Sequence, residues 1–103
     1  MKPRTLLAIG VIALTALPAL ADMTLATKHG CMSCHQVDKN LVGPSYNAVA
    51  EKYKGQADVA KRLAEKVKAG GKDVWGPIPM PPNPNLIDAD IEVLIKWVLS
   101  GAK

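Results

Sequence analysis

The run Cys31-Met32-Ser33-Cys34-His35 holds both cysteines of the chain and the only histidine besides His29. Two thiols two residues apart, followed at once by an imidazole, form the spacing at which a haem is attached covalently. Each thiol can add across one vinyl group of the porphyrin, and the short spacer keeps both sulfurs within about one helical turn. His35 is then carried under the ring, where an imidazole nitrogen can bind the iron. Cys31 and Cys34 are thus covalent anchors, and His35 is an axial ligand. Other uses of a Cys-x-x-Cys pair want a context missing here. A dithiol redox pair belongs to a βαβ unit, and a zinc knuckle draws on further cysteines or histidines at ligand spacing. His29 is too close to Cys31 to complete a tetrahedral site.

An iron bound on one side has an opposite position to fill. Residues 75–84 read Trp-Gly-Pro-Ile-Pro-Met-Pro-Pro-Asn-Pro, with five prolines in ten positions. Such a stretch is neither helix nor central strand, yet its fixed φ angles make it stiff. Met80, the methionine it carries, is well presented there. A methionine more often fills a gap in a core, but elimination favours ligation. Met1 belongs to a leader, and Met23, Met32 and His29 lie in or just before the attachment segment, on the His35 side of the ring. Met80 is far enough along the chain to return on the other face. The expected metal ligands are therefore His35 and Met80, and the expected cofactor is one haem c.

The N-terminus says where such a haem would be attached. Lys2 and Arg4 precede an apolar stretch from Leu6 to Leu17, and Ala19-Leu20-Ala21 places small residues at both cleavage-defining positions. Residues 1–21 read as a secretory signal peptide, cleaved after Ala21. The apolar run is short of the roughly 20 residues that span a bilayer, and Pro18 is expected to break it. Residues 22–103 are then one small domain, too small for a large core and in need of a staple. A covalently held apolar cofactor is that staple. Of the formal charge of +4, Lys2 and Arg4 leave with the leader. What remains is nearly balanced, with dispersed lysines and no basic run interleaved with aromatics, so nucleic-acid binding has no support.

The elements that must position these residues read as helices. One is expected from about Thr24 to Gly30, with Asp22 as its cap. Gly43-Pro44 breaks the chain. Ser45 caps a short helix to about Tyr53, ended by Gly55. Asp58 caps a third, with Val59, Leu63 and Val67 at i, i+4, i+8 and Gly70-Gly71 as its stop. The last begins near Asp88, carries Asp90 and Glu92 in its first turn, and shows Ile91, Leu94, Ile95, Val98 and Leu99 on one face. No segment alternates as a strand, so the fold class is all-α. Tyr46, Tyr53 and Trp97 read as core packing and His29 as a surface residue.

With these residues in view, the chain resembles the small bacterial class I cytochromes c of the c-551/c-552 type. These are periplasmic one-electron carriers of denitrifying and ammonia-oxidising bacteria. The resemblance rests on Cys31 to His35, on Val42-Gly43-Pro44, on the loop from Val74 to Asn83, and on the closing Asp88-Ala-Asp-Ile helix with Trp97. It implies the class I cytochrome c fold, about four short helices wrapped around one covalently attached haem. It also implies roles for further residues. The Pro44 carbonyl would accept a hydrogen bond from His35, Asn83 would donate toward the sulfur of Met80, and Trp75 would send its indole N–H to a haem propionate. Lys66 is a candidate for neutralising that edge or a plain surface residue.

Two strong ligands on opposite faces leave no open site at the iron, and a neutral thioether favours the reduced state and a comparatively high potential. The expected function is a soluble periplasmic one-electron carrier, shuttling between a membrane or periplasmic donor and a terminal reductase or oxidase of a respiratory chain. It would be a monomer, without substrate turnover of its own and without membrane insertion once the leader is gone. A haem enzyme or gas sensor would need Met80 to leave readily, and a subunit fixed in a larger oxidoreductase would not diffuse. Lys28, Lys39 and Lys72 are candidates for a weak, salt-sensitive patch for redox partners.

Overall fold

The computed structural model describes residues 3, 8–10 and 18–103, with helical side chains from Asp22 onward. Apart from residues 8–10, the apolar stretch of the expected leader lies outside the described residues. Four helices follow in order: α1 (Pro18–Lys28), α2 (Tyr46–Tyr53), α3 (Val59–Ala69) and α4 (Asp88–Leu99), with a single 3-10 turn over Cys31–Ser33 between α1 and α2. Among the described residues there are two isolated bridges, His35 with Asn40 and Gly71 with Met80, and no strand. No helix among them is long and apolar enough to cross a membrane.

α4 is the hub, packing against α1, α2 and α3. Its Ile91, Leu94, Ile95, Trp97 and Val98 are buried, a stripe at helical spacing facing inward. Ala26 of α1, fully buried, has the small side chain that lets two helices approach. Val49 and Tyr53 from α2 and Val59 and Leu63 from α3 complete the core with Leu86. Tyr46 stands edge-on to Trp97 at 5.3 Å, so the aromatics expected in the core are there. The indole N–H of Trp97 is buried without an acceptor.

Local chemistry explains most helix ends. Ser45 Oγ accepts the Ala48 N–H at 3.0 Å, the cap expected for α2. α1 differs from expectation, because the chain is already helical at Pro18 rather than from near Thr24. Ala19-Leu20-Ala21 are strong helix formers. Asp22 therefore lies inside the helix instead of capping it. Asp58 also departs from expectation: it precedes α3 with φ 57° and its side chain makes no capping bond. In α4 the first-turn acids are Asp88 and Asp90, with Glu92 a turn further on, paired to Lys96 at 3.2 Å.

Candidate haem site

Cys31 and Cys34 sit on and just after the 3-10 turn, half-buried and with free thiols. The tight turn bonds the Cys34 and His35 N–H groups to the Cys31 carbonyl at 3.2 and 3.0 Å, which brings both thiols and the imidazole to one side. The chain then loops back: the Gly43 N–H donates to the Cys34 carbonyl at 2.8 Å, and the Tyr46 and Asn47 N–H groups donate to the Gln36 and Val37 carbonyls at 2.9 and 3.0 Å. This return delivers Pro44 to His35, whose Nδ1 lies 2.7 Å from the Pro44 carbonyl oxygen. A carbonyl can only accept, so Nδ1 carries a proton, and in the neutral imidazole Nε2 then keeps its lone pair. The hydrogen bond expected between these two residues is present. The ring is also clasped from the side by Tyr46, stacked at 5.3 Å and 21°.

The second wall is the loop between α3 and α4. Gly71 and Met80 exchange two backbone hydrogen bonds, 3.1 Å from the Gly71 N–H and 2.7 Å from the Met80 N–H. Gly70, at φ +81°, packs so tightly on this base that a Cβ there would lie 2.8 Å from the Met80 carbonyl oxygen. Asn83 anchors the other end: its N–H donates to the Val67 and Lys68 carbonyls at 3.1 Å each. Its side-chain amide donates to the Val67 and Pro81 carbonyls at 3.2 and 3.3 Å. That amide is thus directed to backbone rather than to the Met80 sulfur expected for it. Two well-placed carbonyls outcompete a thioether, which is a weak acceptor.

These two walls face one cavity of about 230 Å³ that Cys31, Cys34, His35, Pro44, Trp75 and Met80 all line. Tyr46, Val49, Leu63, Val67, Ile95 and Val98 make the remaining surface largely apolar. Of the expected site residues only Asn83 stands outside the lining, where it holds the loop. Lys66 is on the cavity, its aliphatic stem within 3.6 Å of where a Gly71 Cβ would sit. Trp75 is 45% exposed, a rim residue rather than part of the core. Lys28, Lys39 and Lys72 are all exposed, and Lys72 reaches the cavity. His29, expected at the surface, is half-buried: its Nε2 is buried, 3.6 Å from Asp90 of α4, while the side chain stays 25% exposed.

Burial raises the Cys31 thiol above its ordinary range, offset in part by a backbone hydrogen bond. Burial also raises the Tyr46 phenol, and negative charge on Cys31 would act in the same direction. Both groups are therefore neutral around pH 7, which suits an apolar pocket.

Residue-type reasoning passed over Gly43 as a site residue, although its backbone packs closely on the imidazole. A Cβ there would stand 2.6 Å from His35 Cε1. A glycine directly before the proline that meets His35 was the available signal. Asn40 was missed too; its side-chain oxygen accepts the Ser45 N–H at 2.9 Å and fixes the return loop.

The residues fit a covalently bound haem. Two thiols, an imidazole with a free Nε2 and a thioether converge on an apolar cavity, and Gly43 leaves the ring its room. Comparisons with known proteins agree. A family model described as Cytochrome c matches residues 23–102. The chain is 51% identical over 88 residues to cytochrome c-551 of Allochromatium vinosum, covering 84% of this chain and 94% of that one. It is 49% identical over 82 residues to cytochrome c-552 of Nitrosomonas europaea, covering 80% of each. The crystal structure of wild type Nitrosomonas europaea cytochrome c552 matches with a TM-score of 0.74 and 47% identity over 76% of this chain and 96% of that one. The class 1 cytochrome MtoD from Sideroxydans lithotrophicus gives 0.69 and 34% over 85% and 100%. The matched span takes in both the attachment motif and the methionine loop: the chain belongs to the cytochrome c family, as a small class I member of the c-551/c-552 type.

Proposed function

We propose that this chain is a soluble, exported one-electron carrier whose haem iron is held between His35 Nε2 and Met80 Sδ. Membership of the family supplies the coarser statement, an electron carrier with haem c attached through Cys31 and Cys34. The observation that carries the finer one is the placing of His35 and Met80 on two separate walls of one cavity, with His35 Nδ1 already occupied by Pro44. The haem supplies the one-electron couple. Around it, Pro44 keeps the imidazole in one tautomer and raises its donor strength. Gly43 and Tyr46 fix the plane of the ring. The backbone pair between Gly71 and Met80 holds the methionine against α3. The apolar lining excludes water and disfavours added positive charge, which favours the reduced state. Trp75 and Lys66 stand at the rim as partners for the propionates.

Residues 1–21 act in this reading as a leader removed on export to the periplasm, and the family model begins just beyond it, at Met23. Redox partners, a membrane cytochrome complex or periplasmic donor on one side and a terminal reductase or oxidase on the other, meet the monomer at the exposed haem edge. The test is a potentiometric titration of the exported protein, with its mass. One Nernstian one-electron wave, and a mass of the chain from Asp22 plus one haem, supports the proposal. Steady turnover of peroxide, or a mass that retains the leader, contradicts it.

A further inference from the structure

The loop that presents Met80 is fastened at its base and bare at its tip. The base carries the Gly71 and Met80 pair and the four bonds that Asn83 donates. Residues 72–79 are all exposed, and among the described residues no hydrogen bond or ion pair joins them to the rest of the chain. What reaches the tip is Lys52, projecting from α2 on the far side of the cavity. Its Nζ lies 5.3 Å from the centroid of the Trp75 ring and 5.9 Å from that of Tyr53. Both distances are within the range of a cation on an aromatic face. Trp75 and Tyr53 both line the cavity, so the ammonium joins the loop to α2 beside it. No carboxylate among the described residues is paired with Lys52.

We propose that Lys52 is a positioning residue, a strap that holds the tip of the Met80 loop to α2 through Trp75 and so limits how readily Met80 swings away. The inference rests on the reading of Met80 as a ligand. Between Trp75 and Met80 the prolines at 77 and 79 stiffen the chain, so freedom at the tip passes to the methionine rather than being absorbed. A single exposed cation–π contact has a modest effect, and the strap therefore tunes the loop without being needed to fold it.

The test is the rate at which imidazole, a neutral ligand little affected by surface charge, displaces methionine from the ferric holoprotein. It is paired with amide hydrogen exchange at residues 73–76. Lys52→Met keeps the alkyl stem and removes the charge. It should raise both rates about two- to fivefold, leaving the unfolding midpoint in place because Lys52 is exposed. Lys52→Arg should restore both rates, since a guanidinium also sits on aromatic faces. In a Trp75→Leu background, Lys52→Met should change neither rate further. Equal rates in wild type and Lys52→Met, or the same increase with Trp75 absent, would overturn the strap. If wild type binds imidazole without displacing a methionine, it is the ligand reading that fails, and hydrogen exchange still decides the strap.

Discussion

Gly43 lies against the imidazole of His35 so closely that a Cβ at that position would stand 2.6 Å from Cε1, 2.9 Å from Nδ1 and 3.2 Å from Nε2. The ring proposed to hold the iron is thus braced by a bare backbone on one side, by Tyr46 stacked at 5.3 Å on another, and by the Pro44 carbonyl at Nδ1. Alanine at position 43 cannot be accommodated unless the ring moves. Gly43→Ala should cost about 1–3 kcal/mol, the usual range for overpacking. It should also lower the reduction potential, because a displaced imidazole lets water toward the iron. Denaturant unfolding and potentiometry of the holoprotein check this. A variant with wild-type stability and potential would show that the ring has room to spare.

Tyr46 makes stability depend on alkaline pH. Its phenol is raised in the folded protein, by burial first, so the folded state holds that proton more tightly than the unfolded chain does. The associated stability is whole below about pH 10, the ordinary tyrosine value. It is lost as the pH climbs from there through the folded-state value. Tyr46→Phe removes the group and keeps the ring. Between about pH 9 and 11, wild type should lose stability with rising pH more steeply than the variant in guanidinium unfolding. Parallel pH dependence would place the loss elsewhere.

Gly70 and Gly55 both have positive φ, +81° and +72°, but Gly70 is extended at ψ 171° and the two differ in their surroundings. A Cβ at Gly70 meets the Met80 carbonyl at 2.8 Å and the Pro82 nitrogen at 3.0 Å, whereas one at Gly55 meets nothing within 4 Å. Gly55→Ala should cost only the conformational penalty, about 1–2 kcal/mol. Gly70→Ala should cost more and should also loosen the base of the methionine loop. Unfolding midpoints, with a search for a high-spin fraction in the ferric spectrum of Gly70→Ala alone, separate the two effects. Equal costs and identical spectra would mean that the base of the loop yields without consequence.

The sequence made some of this plain and hid the rest for physical reasons. Cys31, Cys34 and His35 were legible because their chemistry lies within one turn of chain. The proline spacing around Met80 announced a stiff loop. The apolar stripe of α4 announced its buried face, and Ser45 announced its cap. Other features depend on which groups meet in space. Asn83 was expected to serve the Met80 sulfur, yet the backbone of Val67, sixteen residues away in sequence, competes for its amide. His29 was read as surface, although the crossing of α1 and α4 buries its Nε2 beside Asp90. Gly43 carries no side chain whose chemistry could draw notice; its importance is the space it leaves. Lys52 was one lysine among many until α2 and the loop were brought together across the cavity.

His35 and Met80 are proposed to close the iron from both sides. The most direct test is the visible spectrum of the reduced holoprotein with and without carbon monoxide, for wild type and Met80→Ala. Ligation by His35 and Met80 predicts a low-spin wild-type spectrum indifferent to carbon monoxide, and ready binding once Met80 is truncated. Carbon monoxide binding by wild type, or a Met80→Ala protein that still excludes it, would contradict this ligation.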